Sequence, residues 1–267
     1  MQKKPFPRRP QSARTTSPGK TVARELKYYG TAACRALWQQ RPDDVIRIYI
    51  EQALIKPFAD LLKWAATQRK AYHVVSSEEL EKITESVHHQ GICLLARDKP
   101  PTTFPSLLKR LQAEQQPQLL AYLDGVENPH NLGAIVRSCA HFGIHHILGE
   151  AGKLPRLSPS ACRVAEGGAE FVELVALDQP LAQLKQLQQL GFSLLATAMQ
   201  RGHDLYHYDF PKRTLLIFGA EEHGVSQAMF KAADATLHIP GSGHVESLNV
   251  SVAFALIAGE HYRQQKR

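Results

Sequence analysis

Past residue 118 the chain alternates short apolar runs of strand length with segments of helical period, and nothing else in its 267 residues limits the fold so strongly. "LLAYLDG" opens the series as a run too short for a globular helix and unbroken by polar residues, the pattern of a parallel strand buried on both faces. "NLGAIVRSCAHFG" follows as a helix, "HHIL" as a strand, "SPSACRVAEGG" as a helix, "FVELVA" as a strand and "LAQLKQLQQLG" as a helix. Then come "SLLATAM" and "TLLIFG" as strands, "SQAMFKAAD" as a helix, "ATLHIP" as a strand, and a last helix opening on Ser247-Leu248-Asn249. Alternation of this kind predicts an α/β fold with a parallel sheet covered on both faces. Ligands of such sheets bind beyond the carboxyl ends of the strands.

The first half carries a smaller version of the same alternation. From Tyr28, "TAACRALWQQR" reads as a helix, "VIRIYIE" as a strand, "PFADLLKWAATQR" as a helix and "AYHVV" as a strand. "SSEELEKIT" begins with the Ser-x-x-Glu form of a capping box, and "ICLLAR" closes the unit. Residues 25–97 therefore read as a small α/β domain. Residues 98–118, with four prolines and a short polar helix pattern, read as a linker to a second domain over 119–267.

A formal charge of +7 suggests a polyanionic partner until its position is considered. Residues 1–24 hold Lys3, Lys4, Arg8, Arg9, Arg14, Lys20 and Arg24 and no acid, so the other 243 residues are formally neutral. The basic character belongs to a Pro- and Ser-rich tail that cannot build a core and is expected to be disordered, touching phosphates without reading sequence. No apolar run is long enough to span a bilayer, and no secretory signal is expected, which makes the cytoplasm the expected address. Cys34, Cys93, Cys139 and Cys162 are too scattered for a disulfide framework and are expected to be reduced and buried. The histidine doublets His88-His89 and His145-His146 lack the spacing of a zinc site, and no metal is expected.

Three strand-end loops depart from ordinary loop composition. In "DGVENPHNLGAIVRS" Asn131 suits a helix N-cap, and Arg137 lies nearly two turns on. In "GAEEHGVS" Gly219 allows close backbone approach, Gly224 suits a positive φ, and Ser226 suits an N-cap. Glu221, placed at the end of a buried strand, calls for a cation, with Arg137 as the candidate. In "HIPGSGHVESLNVSVAFALIAGE" Gly241 and Gly243 form a hook, while Ser247 and Asn249 stand in the first turn of a helix that looks buried all round. Asn249 is a poor helix former that needs a partner there. Ser251, Ala255 and Gly259 form a small-residue ridge for close packing. Three such loops at one sheet edge constitute a ligand site, although a Gly-x-Gly-x-x-Gly phosphate loop is missing after "LLAYLDG".

In order and spacing, "NLGAIVR", "LLIFGAEEHGVS" and "IPGSGHVESLNVSVA" resemble the three motifs of the SpoU-type RNA ribose 2'-O-methyltransferases, members of the knotted SPOUT superfamily. The resemblance is close over residues 120–263 and looser over 28–96, where "SVHHQGI" is similar to the end of the family's small substrate-binding domain. It implies an L30e-like N-terminal domain, a C-terminal trefoil knot, a homodimer joined through the knotted domain, and S-adenosyl-L-methionine held by Gly219, Ile239 and Leu248. It further implies tRNA or rRNA as substrate, with Arg137 as the binding and deprotonating residue, oriented together with the ribose by Asn131, Glu221, Ser247 and Asn249. Asn128-Pro129 stands where the family has Asp-Pro, and Gly241 where a methionine is common. That altered hook motivates the rival reading of an RNA-binding paralogue without methyl transfer; a base-nitrogen methylase fits the motifs less well.

Overall fold

A computed structural model describes residues 24–114 and 116–266, so nearly all of the basic tail expected over residues 1–24 lies outside the described residues. Two sheets form. In the smaller, β1 (Glu25–Tyr29), β2 (Val45–Ile50), β3 (Ala71–Val74) and β4 (Ile92–Arg97) take the order β1-β4-β2-β3, with β4 antiparallel to both β1 and β2. Helices α1 (Thr31–Gln40), α2 (Ala59–Thr67) and α3 (Ser77–Thr84) connect them. The capping box at α3 forms as read: Ser76 Oγ accepts from Glu79 N, and a Glu79 carboxylate oxygen accepts from Ser76 N. The strand β1 was not anticipated, because its five residues begin on Glu25 and Lys27 and only Leu26, Tyr28 and Tyr29 are buried.

Helix α4 (Phe104–Ala113) falls within the stretch read as a linker, yet it is capped by Thr103 and buries Phe104, Leu107 and Leu111. These three join the core of the larger sheet, so much of that stretch is packed structure.

The larger sheet has seven strands, all parallel, in the order β7-β6-β5-β10-β8-β11-β9. They are β5 (Gln118–Asp124), β6 (His146–Glu150), β7 (Glu173–Leu177), β8 (Ser193–Thr197), β9 (His203–Asp204), β10 (Arg213–Gly219) and β11 (Ala235–His238). β5 is buried on both faces, as an apolar run in a parallel sheet must be. Its alternate residues feed two cores: Leu119, Ala121 and Leu123 face one side, Leu120 and Tyr122 the other. The first side is covered by α5 (Pro129–Phe142) and α9 (Val250–Gln265), the second by α4, α7 (Pro180–Gln189) and α8 (Gln227–Ala232). The expected two-faced coverage is therefore present. α6 (Pro159–Val164) is shorter than "SPSACRVAEGG" suggested, and a 3-10 turn over Gly168–Glu170 follows it.

One core cluster runs without a break from Leu26, Tyr28 and Leu37 of the smaller unit into Cys162, Ala165 and Ala169 beneath the larger sheet. The parallel ladder pairs Asp124 with Gly219, so the loops after β5 and β10 leave the sheet side by side. β11 is one strand removed from β10, and its loop leaves the same edge.

Candidate active site

The first loop is fixed by Asn128, whose Oδ1 accepts from His130 N at 2.9 Å, with Pro129 as the first residue of α5. Asn131 is thus not the N-cap; it sits one turn in, buried, with its side chain left for longer-range use. Two residues on, a Cβ on Gly133 would come 2.7 Å from the Ala161 carbonyl oxygen and 2.8 Å from Val164 Cβ, so this glycine serves the packing of α5 on α6.

In the second loop the chain turns back at once. Gly224 N donates to Ala220 O at 2.8 Å, and Gly224 adopts φ +63, as expected. A Cβ on Gly219 would overlap the Gly224 carbonyl carbon and Val225 N, so the close approach at Gly219 is by the loop itself. Ser226 caps α8 as read, accepting from Met229 N, and its own N–H is held by Asp124 Oδ2 at 2.7 Å. Glu221 projects from this turn and is exposed, beyond the strand end where burial had been expected.

In the third loop the N-cap of α9 is Asn249, whose Oδ1 accepts from Ser251 N at 2.9 Å and from Ser251 Oγ at 2.6 Å. Ser247 lies outside the helix, exposed, where it was expected in the first turn.

These loops meet at one carboxylate oxygen. Glu221 Oε1 accepts from Asn131 Nδ2 at 2.9 Å and from Asn249 Nδ2 at 2.8 Å, and Asn249 Nδ2 also donates to Asn131 Oδ1 at 3.0 Å. Two amides and a carboxylate thus close a triangle, with a charge-assisted acceptor at its apex. The partner demanded by Asn249 is Glu221 together with Asn131. The predicted Arg137–Glu221 pair does not form: among the described residues no ion pair joins them, and Arg137 is exposed on α5. Six residues separate Asn131 from Arg137, about 9 Å along a helix axis and about a third of a turn off its face, and amides already serve the carboxylate.

The hook presents peptide groups. Among the described residues, the only backbone donor from Gly241 to Leu248 with a hydrogen-bond partner is His244 N, which reaches Ser242 Oγ at 3.5 Å. Ile239 packs partly buried on the core, and Leu248 is 45% exposed beside these groups. The peptide groups of the hook are therefore exposed and open to hydrogen bonding from outside the chain. A Cβ on Gly241 would meet nothing within 4 Å, so the space where the resembling family has methionine is open.

Residues 118–259 match the family model described as the SpoU rRNA Methylase family, and residues 28–102 match one described as RNA 2'-O ribose methyltransferase substrate binding. The chain belongs to the SpoU rRNA methylase family. It is 38% identical over 244 residues to an uncharacterized tRNA/rRNA methyltransferase, YfiF, of Escherichia coli O157:H7, covering 91% of this chain and 70% of that one. It is 32% identical to the 23S rRNA (guanosine-2'-O-)-methyltransferase RlmB of Pseudomonas putida, covering 90% of this chain and 97% of that one. The crystal structure of the SpoU methyltransferase AviRb from Streptomyces viridochromogenes, solved in complex with AdoMet, shares the fold with a TM-score of 0.73 at 21% identity over 91% of each chain.

In this SpoU family member the triangle is built from all three motif segments. The sequence pointed to each of its residues but not to their mutual bonds. The sequence placed Asn249 inside the first turn, as a misfit in an apolar helix; the structure makes it the N-cap, where asparagine is favoured, so the residue was picked out but for the wrong reason.

Proposed function

We propose that the protein is an S-adenosyl-L-methionine-dependent methyltransferase that methylates a ribose 2'-hydroxyl of structured RNA, either rRNA or tRNA. The observation that carries this reading is the closed Asn131–Glu221–Asn249 triangle at the mouth of the larger sheet. The cofactor would lie against Gly219, Ile239 and Leu248, recognised by the unpaired peptide groups of the hook. When bound, it supplies a methyl group already activated on a sulfonium.

What remains for the protein is to align a poor nucleophile and lower the cost of removing its proton. Glu221 Oε1 is taken by two amides, and Oε2 has no partner among the described residues, leaving an acceptor that would hold the ribose hydroxyl and pass its proton to solvent as the methyl group arrives. Arg137, exposed and without an ion pair among the described residues, supplies a cation to the backbone phosphate and to the oxygen that loses its proton. A guanidinium holds its own proton tightly, so its charge is the part of the deprotonating role that chemistry favours most. Ser247, exposed beside the hook, would bind the ribose.

The rest of the reading follows the family. Residues 25–97 would be the L30e-like domain that selects RNA, 98–118 the connection, 119–267 the catalytic domain with a C-terminal trefoil knot, and 1–24 a basic tail that adds phosphate contacts. Two copies would pair through the catalytic domain, in the cytoplasm. Among the described residues no helix is long and apolar enough to cross a membrane, and the four cysteines are free and buried.

The test is transfer of labelled methyl groups from S-adenosyl-L-methionine to rRNA and tRNA, with ribose methylation maps of cells with and without the protein. Transfer is expected to require Arg137 in a folded Arg137→Ala protein. Bound RNA with no transfer to any RNA would favour the non-catalytic paralogue.

A further inference from the structure

The turn that follows α6 touches both halves of the molecule through two consecutive glycines. Gly167, at φ +88, faces α1 of the smaller unit: a Cβ there would come 2.8 Å from Ala36 Cβ and 3.2 Å from Ala32 O. Gly168 faces α5: its Cβ would come 3.1 Å from Val136 O and 3.3 Å from Arg137 Cα. The turn is thus wedged between a helix of the smaller unit and the backbone of Arg137, with no room for a side chain on either side.

Two residues later Glu170 ties the wedge down. Its side chain is 2% exposed and takes Arg41 Nε at 2.7 Å on one oxygen and Arg41 Nη2 at 3.3 Å on the other, with Lys99 Nζ at 3.3 Å. Arg41 is anchored in turn within the smaller unit by Tyr28 Oη at 2.9 Å, Asp44 Oδ2 at 3.1 Å and the Arg97 carbonyl at 2.7 Å. Lys99 Nζ also donates to the Ala169 and Glu170 carbonyls at 2.8 Å each. A buried carboxylate held in a fork by one cation and seconded by another is fixed in direction as well as in place.

We propose that the Gly167–Glu170 turn sets the register between the smaller unit and Arg137, with Glu170 as a positioning residue, so that RNA held on the smaller unit meets α5 at a fixed offset. This rests on the RNA methyltransferase reading above. It applies a general requirement of catalysis, that a misplacement of about 1 Å can cost about a hundredfold in rate, to a joint between two units.

Steady-state methyl transfer to structured RNA, with S-adenosyl-L-methionine affinity measured by calorimetry, tests it on the full chain. Glu170→Ala is expected to lower kcat by about tenfold or more, while KM for RNA and the cofactor Kd stay within about twofold. Glu170→Gln, which still accepts hydrogen bonds from Arg41, should recover most of the loss. Unchanged kcat, or a kcat loss matched by weaker cofactor binding, overturns the proposal. If Glu170→Ala does not fold, Arg41→Ala puts the same question from the other side of the joint. Spin labels at the exposed positions Glu81 and Lys185, in a spin-diluted sample, give a readout independent of activity. One narrow distance in the wild type that broadens in Glu170→Ala or Arg41→Ala supports the joint even if the protein transfers no methyl group, an outcome that would defeat only the functional reading. Equal distributions overturn it.

Discussion

Asn249 shows how much one side chain carries at this site. Its oxygen caps α9 and its amide nitrogen bonds both Asn131 and Glu221. Serine is about as good an N-cap as asparagine but has no amide to donate, so substitution separates the two roles. Asn249→Ser should keep the cap and lose the cross-links, while Asn249→Ala should lose both and melt lower by a further ~1 kcal/mol. Both variants should lose methyl transfer; a Ser variant with wild-type turnover would mean that the triangle does not order the site. The glycines divide just as sharply. Gly219→Ala pushes a methyl group into the backbone of Gly224 and Val225 and should destabilise the fold by about 1–3 kcal/mol in denaturant titration. Gly241→Ala enters open space and should leave the melting curve unchanged, so that any change in cofactor affinity reports on the hook itself.

At the level of elements, periodicity located the strands and helices of both sheets, except β1 and the two-residue β9, because burial dictates it, and it failed where burial is uneven or the strand is short. β1 alternates too briefly to stand out, and its place is fixed by pairing with β4, more than sixty residues away in sequence. α9 looked buried all round because its residues are apolar all round; in the structure Val252 is 47% and Leu256 38% exposed, and the small residue Gly259 lies against Phe142 of α5. A sequence records which side chains avoid water, and a single chain need not satisfy them all. The polar end of α9 carries a titration signature. Burial pulls His261 down to about 4 from its usual 6.5, and burial with the nearby Arg110 does the same to His146. Both imidazoles are neutral in the fold and take up a proton more readily once unfolded, so their contribution is full above pH 6.5 and is lost as pH falls toward 4. Thermal melts from pH 7 to pH 4 should therefore decline less steeply in His261→Gln than in the wild type, with a residual slope from His146. Parallel declines would show that His261 does not titrate as its burial requires.

For the molecule as a whole, the site was legible as three loops of unusual composition, whereas the bonds among them were not, since Glu221 meets Asn131 across ninety residues and only folding decides between an amide and Arg137 as its partner. The same limit applies one scale higher. Val252 and Leu256, one turn apart on α9, form a partly exposed apolar stripe, with the partly exposed Leu248 of the hook preceding the helix. If two copies pair through the catalytic domain, as proposed above, this stripe is the surface a second copy would cover. In a two-fold pair the same patch appears on both sides, so each substitution is introduced twice across the contact. Val252→Glu combined with Leu256→Glu would place four carboxylates in an apolar seam, at a large desolvation cost. Light scattering should thus find the 29.8 kDa chain at about twice its mass and the double variant at its own. Because these residues lie outside the Asn131–Glu221–Asn249 triangle, a monomeric variant that still binds S-adenosyl-L-methionine but no longer methylates RNA would mean that the partner completes the RNA site. A double variant that remains dimeric would place the interface elsewhere and leave the stripe to another ligand.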